Sequence, residues 1–345
     1  MITIYSSSRE GSMDKIPVFD LHADTYYKKL LLHQHRFLRR AFFHRSNLDN
    51  QLVSAQEMIS ITPENLILGN VKVQAQSLYL AGYSLQGALH NSLQMVQMMK
   101  KDIALNENLF QVRNTEDVTP HLNDDKTGIY ITIEGLEVIE GNLDLLDIFA
   151  ELGVRMVAPT WNRVLPFVPS FLEGGGMFRR GKDLAAKMNE LSLIMDISHM
   201  SPEASLEMAN LLHTPIIASH ANLLRLNAFP RNLTDRQMDM LKERNGIIGL
   251  TFCPDFLRIE QESFPSDGYP IGYHYLYRII SEIIDNWGIE MIALGSDFDG
   301  LTDIEQGLED PACYPSLAEF LSYKGMNKSE IRKIFFDNAL RAISQ

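Results

Sequence analysis

Residues 17–24 read Pro-Val-Phe-Asp-Leu-His-Ala-Asp, a short apolar run that ends in an imidazole and a carboxylate two residues apart. In an extended chain residues i and i+2 point the same way, so His22 and Asp24 can reach the same ion. The arrangement recurs along the chain. GIYITI at 128–133 leads into Glu134, SLIMDI at 192–197 into His199, PIIAS at 215–219 into His220, and MIALGS at 291–296 into Asp297. Three further runs, at 72–79, 153–158 and 246–251, bring the expected strands to eight.

Near-continuous apolar strands separated by amphipathic helices mark a parallel sheet covered on both faces. Helices are expected at 182–191, 202–212, 234–244, 273–286 and 327–343, with Ser201 before Pro202 and Thr234 before Asp235 as caps. Eight strands alternating with helices predict an α/β fold, a (β/α)8 TIM barrel. The 345 residues allow one such barrel over 1–345, with a short N-terminal extension (1–16) and loop insertions. The ligand-type residues all fall at the carboxyl ends of strands, where barrel enzymes build their sites. An isolated His-x-Asp is weak, and each histidine alone could be a satisfied core residue. The shared placement is what points to a metal centre.

Imidazole with carboxylate suits Zn²⁺, with Mn²⁺, Co²⁺ and Fe²⁺ as alternatives, and a second metal can be accommodated if Glu134 bridges through its two oxygens. The basic segment 28–46 reads as a helix with a solvated face, and 161–180 as a loop at the site end of the barrel. His274 reads as structural.

Composition narrows the field. A net charge of −13, from 44 acidic and 31 basic residues, argues against a nucleic-acid partner. Two cysteines exclude a disulfide framework. Neither a signal peptide nor a membrane span is visible, so the expected address is cytoplasmic, with no membrane partner. No G-x-G-x-x-G opens a helix after a strand, which sets hydride transfer aside.

The series FDLHADT, ITIEG, DISHMS, SHANLLRLNAFPRNLTD and LGSDFDG, in that order, resembles the membrane (renal-type) dipeptidase family of zinc peptidases, M19. The resemblance runs from about residue 17 to the closing IRKIFFDNALRAI. It implies a barrel of the amidohydrolase type with two Zn²⁺, His22 and Asp24 on one, His199 and His220 on the other, and Glu134 bridging. It also implies Asp297 as the proton shuttle, Arg231 on the free carboxylate of a dipeptide substrate, and a metal-activated hydroxide as nucleophile. A homodimer is the corresponding expectation for assembly.

Two departures fall in the implied substrate pocket. Pro159-Thr160-Trp161-Asn162 replaces the family's Leu-Thr-His, so Trp161 and Asn162 become the substrate-binding candidates, and Cys253 stands where tyrosine is common. The alternative expectation is another amidohydrolase-type amide hydrolase, a deacylase or cyclic amidase, altered at Trp161 and Cys253.

Overall fold

The computed structural model describes residues 16–42, 59–80 and 87–344. Residues 1–15 of the expected N-terminal extension and 43–46 of the basic segment lie outside the described residues. The strands are β1 (Val18–Asp20), β2 (Val71–Tyr79), β3 (Leu109–Val112), β4 (Thr127–Glu134), β5 (Met156–Ala158), β6 (Ile194–Asp196), β7 (Ile216–Ala221), β8 (Ile248–Leu250) and β9 (Ile292–Leu294). They run in the order β2-β1-β9-β8-β7-β6-β5-β4-β3, all parallel, and a β2–β4 pairing closes the ring. Eight strands therefore make a closed (β/α)8 barrel, and each overlaps one of the runs read from the sequence.

β3 is the element that was not foreseen. β2 occupies one edge of β4 throughout, so β3 and β5 share the other, β3 against Thr127–Tyr130 and β5 against Thr132–Glu134. Its four residues, Leu-Phe-Gln-Val, three half-buried and only Val112 buried, carry too little alternation to announce a strand. The helices Pro63–Leu68 and Ala88–Leu105 were likewise not singled out.

Successive strand residues divide between two buried clusters, as the pleat requires. Tyr130, Met156, Ile194 and Ile217 join one, and their neighbours Ile131, Val157, Met195 and Ala218 join the other. The first cluster also takes Phe336 and Ala339 from the C-terminal helical segment. That segment reads as one helix in the sequence but divides into Lys328–Arg332, a π turn at Lys333–Asp337, and Asn338–Ile343. Asn338 donates to the carbonyls of Ile289 and Ile292, and Arg341 to those of Asn245 and Glu290, all at the entrances to β8 and β9. The closing helix therefore lies across the amino ends of the strands and leaves the carboxyl ends open.

Local signals hold where they were read. Ser201 accepts from the Ala204 N–H with Pro202 in the first turn, and Thr234 forms a capping box with Gln237. The helix Thr25–Phe42 covers the start of the basic segment. Both cysteines are free, and among the described residues no helix is long and apolar enough to cross a membrane.

Gly249 of β8 and Gly295, just past β9, both face the carbonyl of Ser219 in β7, leaving no room for a Cβ at either. Gly295→Ala should lower folding stability by about 1–3 kcal/mol through overpacking. A urea midpoint equal to that of the unmodified protein would show that the strands can separate to admit a methyl group.

Candidate active site

Every expected ligand reaches the open mouth. His22 and Asp24 follow β1, His199 follows β6, and Asp297 follows β9, while Glu134 is the last residue of β4 and His220 lies inside β7. The loops after the first and last strands are laced together. The Asp297 N–H donates to His22 O at 3.2 Å, and the Asp24 N–H donates to Phe298 O at 3.0 Å. Asp297 and Asp299 both take the left-handed conformation, at φ 68°. Asp, like Asn, tolerates that region better than most side chains. A Cβ on Gly300 would stand 2.6 Å from Asp24 Oδ2 and still nearer Asp297 Oδ1, so this position admits only glycine without movement.

Glu134 lies at the centre. Its Oε2 is 3.3 Å from His22 Nε2, and its Oε1 is 2.8 Å from His199 Nε2 and 3.5 Å from His220 Nε2. His22 Nε2 is also 3.8 Å from Asp24 Oδ1 and 3.9 Å from Asp297 Oδ1. The His22 and His220 rings stack at 3.7 Å between centroids. One carboxylate thus turns an oxygen toward each of two ligand groups.

The surroundings fix which imidazole nitrogen faces inward. His199 Nδ1 is 3.0 Å from Asn162 Oδ1, which only accepts, so the proton sits on Nδ1. Ser219 donates its hydroxyl proton to Asp196 and so accepts from His220 Nδ1 at 2.8 Å. Both Nε2 atoms, 3.0 Å apart, are left with lone pairs aimed at Glu134 Oε1. Ser77 donates to the other Glu134 oxygen at 3.3 Å. Such outer partners orient metal ligands as well as satisfying them.

Electrostatics follow from this crowding. Burial opposes charge on His22, but the Glu134 and Asp24 carboxylates outweigh it and hold the imidazole well above its usual pKa. Burial, then the Glu134 charge, pushes Asp24 up to about 6. Glu134 stays well below the carboxylate range despite burial, chiefly because the positive charge of His22 lies beside it. Burial, with Arg231 adding to it, brings His199 down to about 4, and burial likewise keeps His220 neutral. Asp297 is pushed well up, mainly by burial.

The donor set fits a divalent cation. His22, Asp24 and Glu134 form one group whose ligand atoms lie within 4.8 Å of one another; Glu134, His199 and His220 form another; and His22, His220 and Asp297 a third. Both His22 nitrogens and Asp24 Oδ1 are buried without a hydrogen-bond partner among the described residues. Uncompensated buried polar atoms are costly, and a cation would satisfy them together.

The model of the membrane dipeptidase family, peptidase family M19, matches residues 9–345. The chain belongs to this family. Among its relatives, dipeptidase tcpJ of Claviceps purpurea is 26% identical over 263 residues, covering 75% of this chain and 60% of the relative's length. A solved M19 metallopeptidase, dipeptidase AC, is 25% identical with a TM-score of 0.82, covering 96% of this chain and 98% of the other. A metallopeptidase from Rhodobacter sphaeroides, solved with a phosphinate mimic of L-Ala-D-Ala, is 24% identical with a TM-score of 0.81, covering 96% and 99% of the two chains.

In this M19 protein the remaining candidates are placed as follows. Arg231 is buried, with Nη2 donating to His220 O at 2.9 Å and with Nε and Nη1 unpartnered among the described residues. Burial pulls its pKa to about 10, so it stays charged at neutral pH. Trp161 packs on Tyr79, and Asn162 is engaged by His199 as described. Cys253 sits close enough to Asp297 to feel its charge, though burial is what mainly pushes its thiol up to about 12. An inert thiol is the result.

Asp299 accepts from Thr25, Lys28 and the Ser60 and Ile61 N–H groups, and so ties loops together. His274 pairs with Asp267 at 3.0 Å, as a structural histidine would. Sequence reasoning passed over Asp196, Ser219 and Ser77, whose residue types carry no ligand signal until the strands are aligned. Gly300 entered only as the last residue of the LGSDFDG motif.

Two outcomes test this centre. A proton held on His22 must leave when a cation takes its lone pair, so metal uptake at neutral pH should release protons. The apparent binding enthalpy should then change with the ionisation enthalpy of the buffer, and a buffer-independent heat would contradict the assignment. Gly300→Ala should weaken divalent-metal affinity by about tenfold or more, at the level of a perturbed ligand shell, in equilibrium dialysis.

Proposed function

We propose that this chain is a metal-dependent dipeptidase that hydrolyses the peptide bond of a free dipeptide, with two divalent ions, Zn²⁺ the leading candidate. The chain spans three-fifths of the curated relative's length, so the activity is argued from this site. The observation that carries the reading is Arg231. A buried guanidinium with two nitrogens unpartnered beside the ligand cluster is poised to receive a carboxylate.

His22, Asp24 and Glu134 Oε2 would hold one ion, and His199, His220 and Glu134 Oε1 the other. When bound, the ions supply an acidified water and polarise a carbonyl oxygen. Arg231 anchors the terminal carboxylate and fixes how far the scissile bond extends over the cluster. Asp297, at the rim, accepts the proton of the attacking water and returns it to the amine nitrogen as the C–N bond breaks. Asn162 and the Asp196–Ser219 pair hold His199 and His220 in the tautomer the ions require.

The purified protein should cleave members of an L,L- and L,D-dipeptide panel, lose activity on metal stripping, and regain it with Zn²⁺. C-terminal amidation should cost about 10²-fold or more in kcat/KM, because Arg231 is then left buried and unpaired. Equal cleavage of amidated substrates would move the chain to the deacylase or cyclic-amidase reading. Asp297→Asn should lower kcat by about 10²–10⁴-fold with metal content unchanged.

A further inference from the structure

The ring order of the barrel gives the mouth two opposed sides. Around the closed sheet the sequence is β1, β2, β4, β5, β6, β7, β8, β9. Arg231 is carried by the loop after β7 and Cys253 by the loop after β8. Directly across the ring from β8 lies β4, flanked by β2 and β5. Tyr79 is the last residue of β2, and Trp161 is three residues past β5.

These two residues begin a continuous aromatic wall. The Tyr79 and Trp161 ring centroids are 5.1 Å apart at 69°, and Tyr27 meets Tyr79 at 5.0 Å and the same 69°. Edge-to-face pairs of this kind hold each ring in one orientation. Trp161 and Phe171 both come up to His199, at 6.2 and 6.4 Å between centroids. Trp161, Tyr79 and Phe171 are all only partly buried. The charged side chains at this side are engaged elsewhere, Arg163 with Glu137 and Lys28 with Asp299.

Resting on the dipeptidase reading above, we propose that this wall receives the side chain of the substrate's first residue and selects dipeptides whose first residue is aromatic or large and aliphatic. A dipeptide anchored by its carboxylate at Arg231, with its carbonyl over the cluster, extends its first residue away from β7 and β8. That direction leads to Tyr79 and Trp161. The indole at 161 exchanges an imidazole's hydrogen-bonding for a broad apolar face. Burying an aromatic ring there gains both area and ring-ring contact.

The test is kcat/KM across X-Ala dipeptides with X as Gly, Ala, Leu, Phe and Trp, beside the reverse Ala-X series, using metal-loaded protein. Phe-Ala and Leu-Ala should exceed Gly-Ala by about 30-fold, within the range one apolar pocket achieves. The Ala-X series should vary less. Trp161→Ala should depress Phe-Ala cleavage at least tenfold more than Gly-Ala cleavage, with Trp161→Phe recovering most of the difference. A flat X-Ala series, or equal loss on all substrates, would overturn the proposal while leaving the dipeptidase reading intact.

Failure to cleave any dipeptide would instead sink the dipeptidase reading, and binding then decides the pocket. The two tryptophans are Trp161 and Trp287, the latter held by Asp239 and Arg225 away from the cluster. The non-hydrolysable analogue of Phe-Ala with a reduced peptide bond should quench fluorescence in Trp287→Phe protein and not in Trp161→Phe protein. Absence of that difference overturns the proposal independently of turnover.

Discussion

One carboxylate with two oxygens sets the terms for the whole mouth of this barrel. Glu134 can serve His22 and Asp24 on one side and His199 and His220 on the other only if four strands deliver their ends to within a few ångströms of one point. A closed parallel ring does this, because every strand finishes at the same rim. An open sheet would spread the same residues along a line. The barrel's closure is therefore a condition for the chemistry as well as for burying apolar surface.

The same carboxylate governs the charges around it. The charge on His22 holds Glu134 ionised, and the Glu134 charge in turn raises His22 and adds to the effect of burial on Asp24. His199 and His220 stay neutral because burial and Arg231 act against a second and third positive charge. At His199 and His220 this balance leaves lone pairs inward and protons outward, the arrangement a cation needs. Arg231 stands outside the balance as a fixed positive charge with donors to spare, and the aromatic residues across the ring carry no charge at all. The cluster thus lies between a fixed charge on one side and aromatic rings on the other.

How much of this the sequence disclosed can be argued from particular residues. The eight barrel strands, Glu134 and the five ligand-type residues around it were legible, because the strands are apolar runs and five of them end in an abrupt change to a ligand-type residue. The family motifs add Arg231, which sits in a loop and has no periodicity to place it. β3 was not legible, since three of its four residues are only half-buried against one edge of β4 and the run obeys neither a clean period-2 nor a continuous apolar pattern. Asn162 looked like a substrate residue from its position in the loop, and only the fold shows its oxygen on His199. Asp196 and Ser219 belong to neighbouring strands, and their joint hold on His220 exists only in the sheet register. Tyr79 was hidden in the same way, its partnership with Trp161 spanning two strands that are not adjacent in sequence.

The lacing of the loops after β1 and β9 has a consequence for biosynthesis. His22 and Asp24 leave the ribosome among the earliest residues of the barrel, while Asp297 and Phe298, which hold them from the other side, emerge among the last. Until β9 has been made the first strand has no ninth to pair with, so neither the ring nor the complete ligand set can form. Half the set, Glu134, His199 and His220, is available well before the chain is finished. Completion of the ligand set therefore waits on the strand made last, and the ring closes and the cluster assembles in the same step.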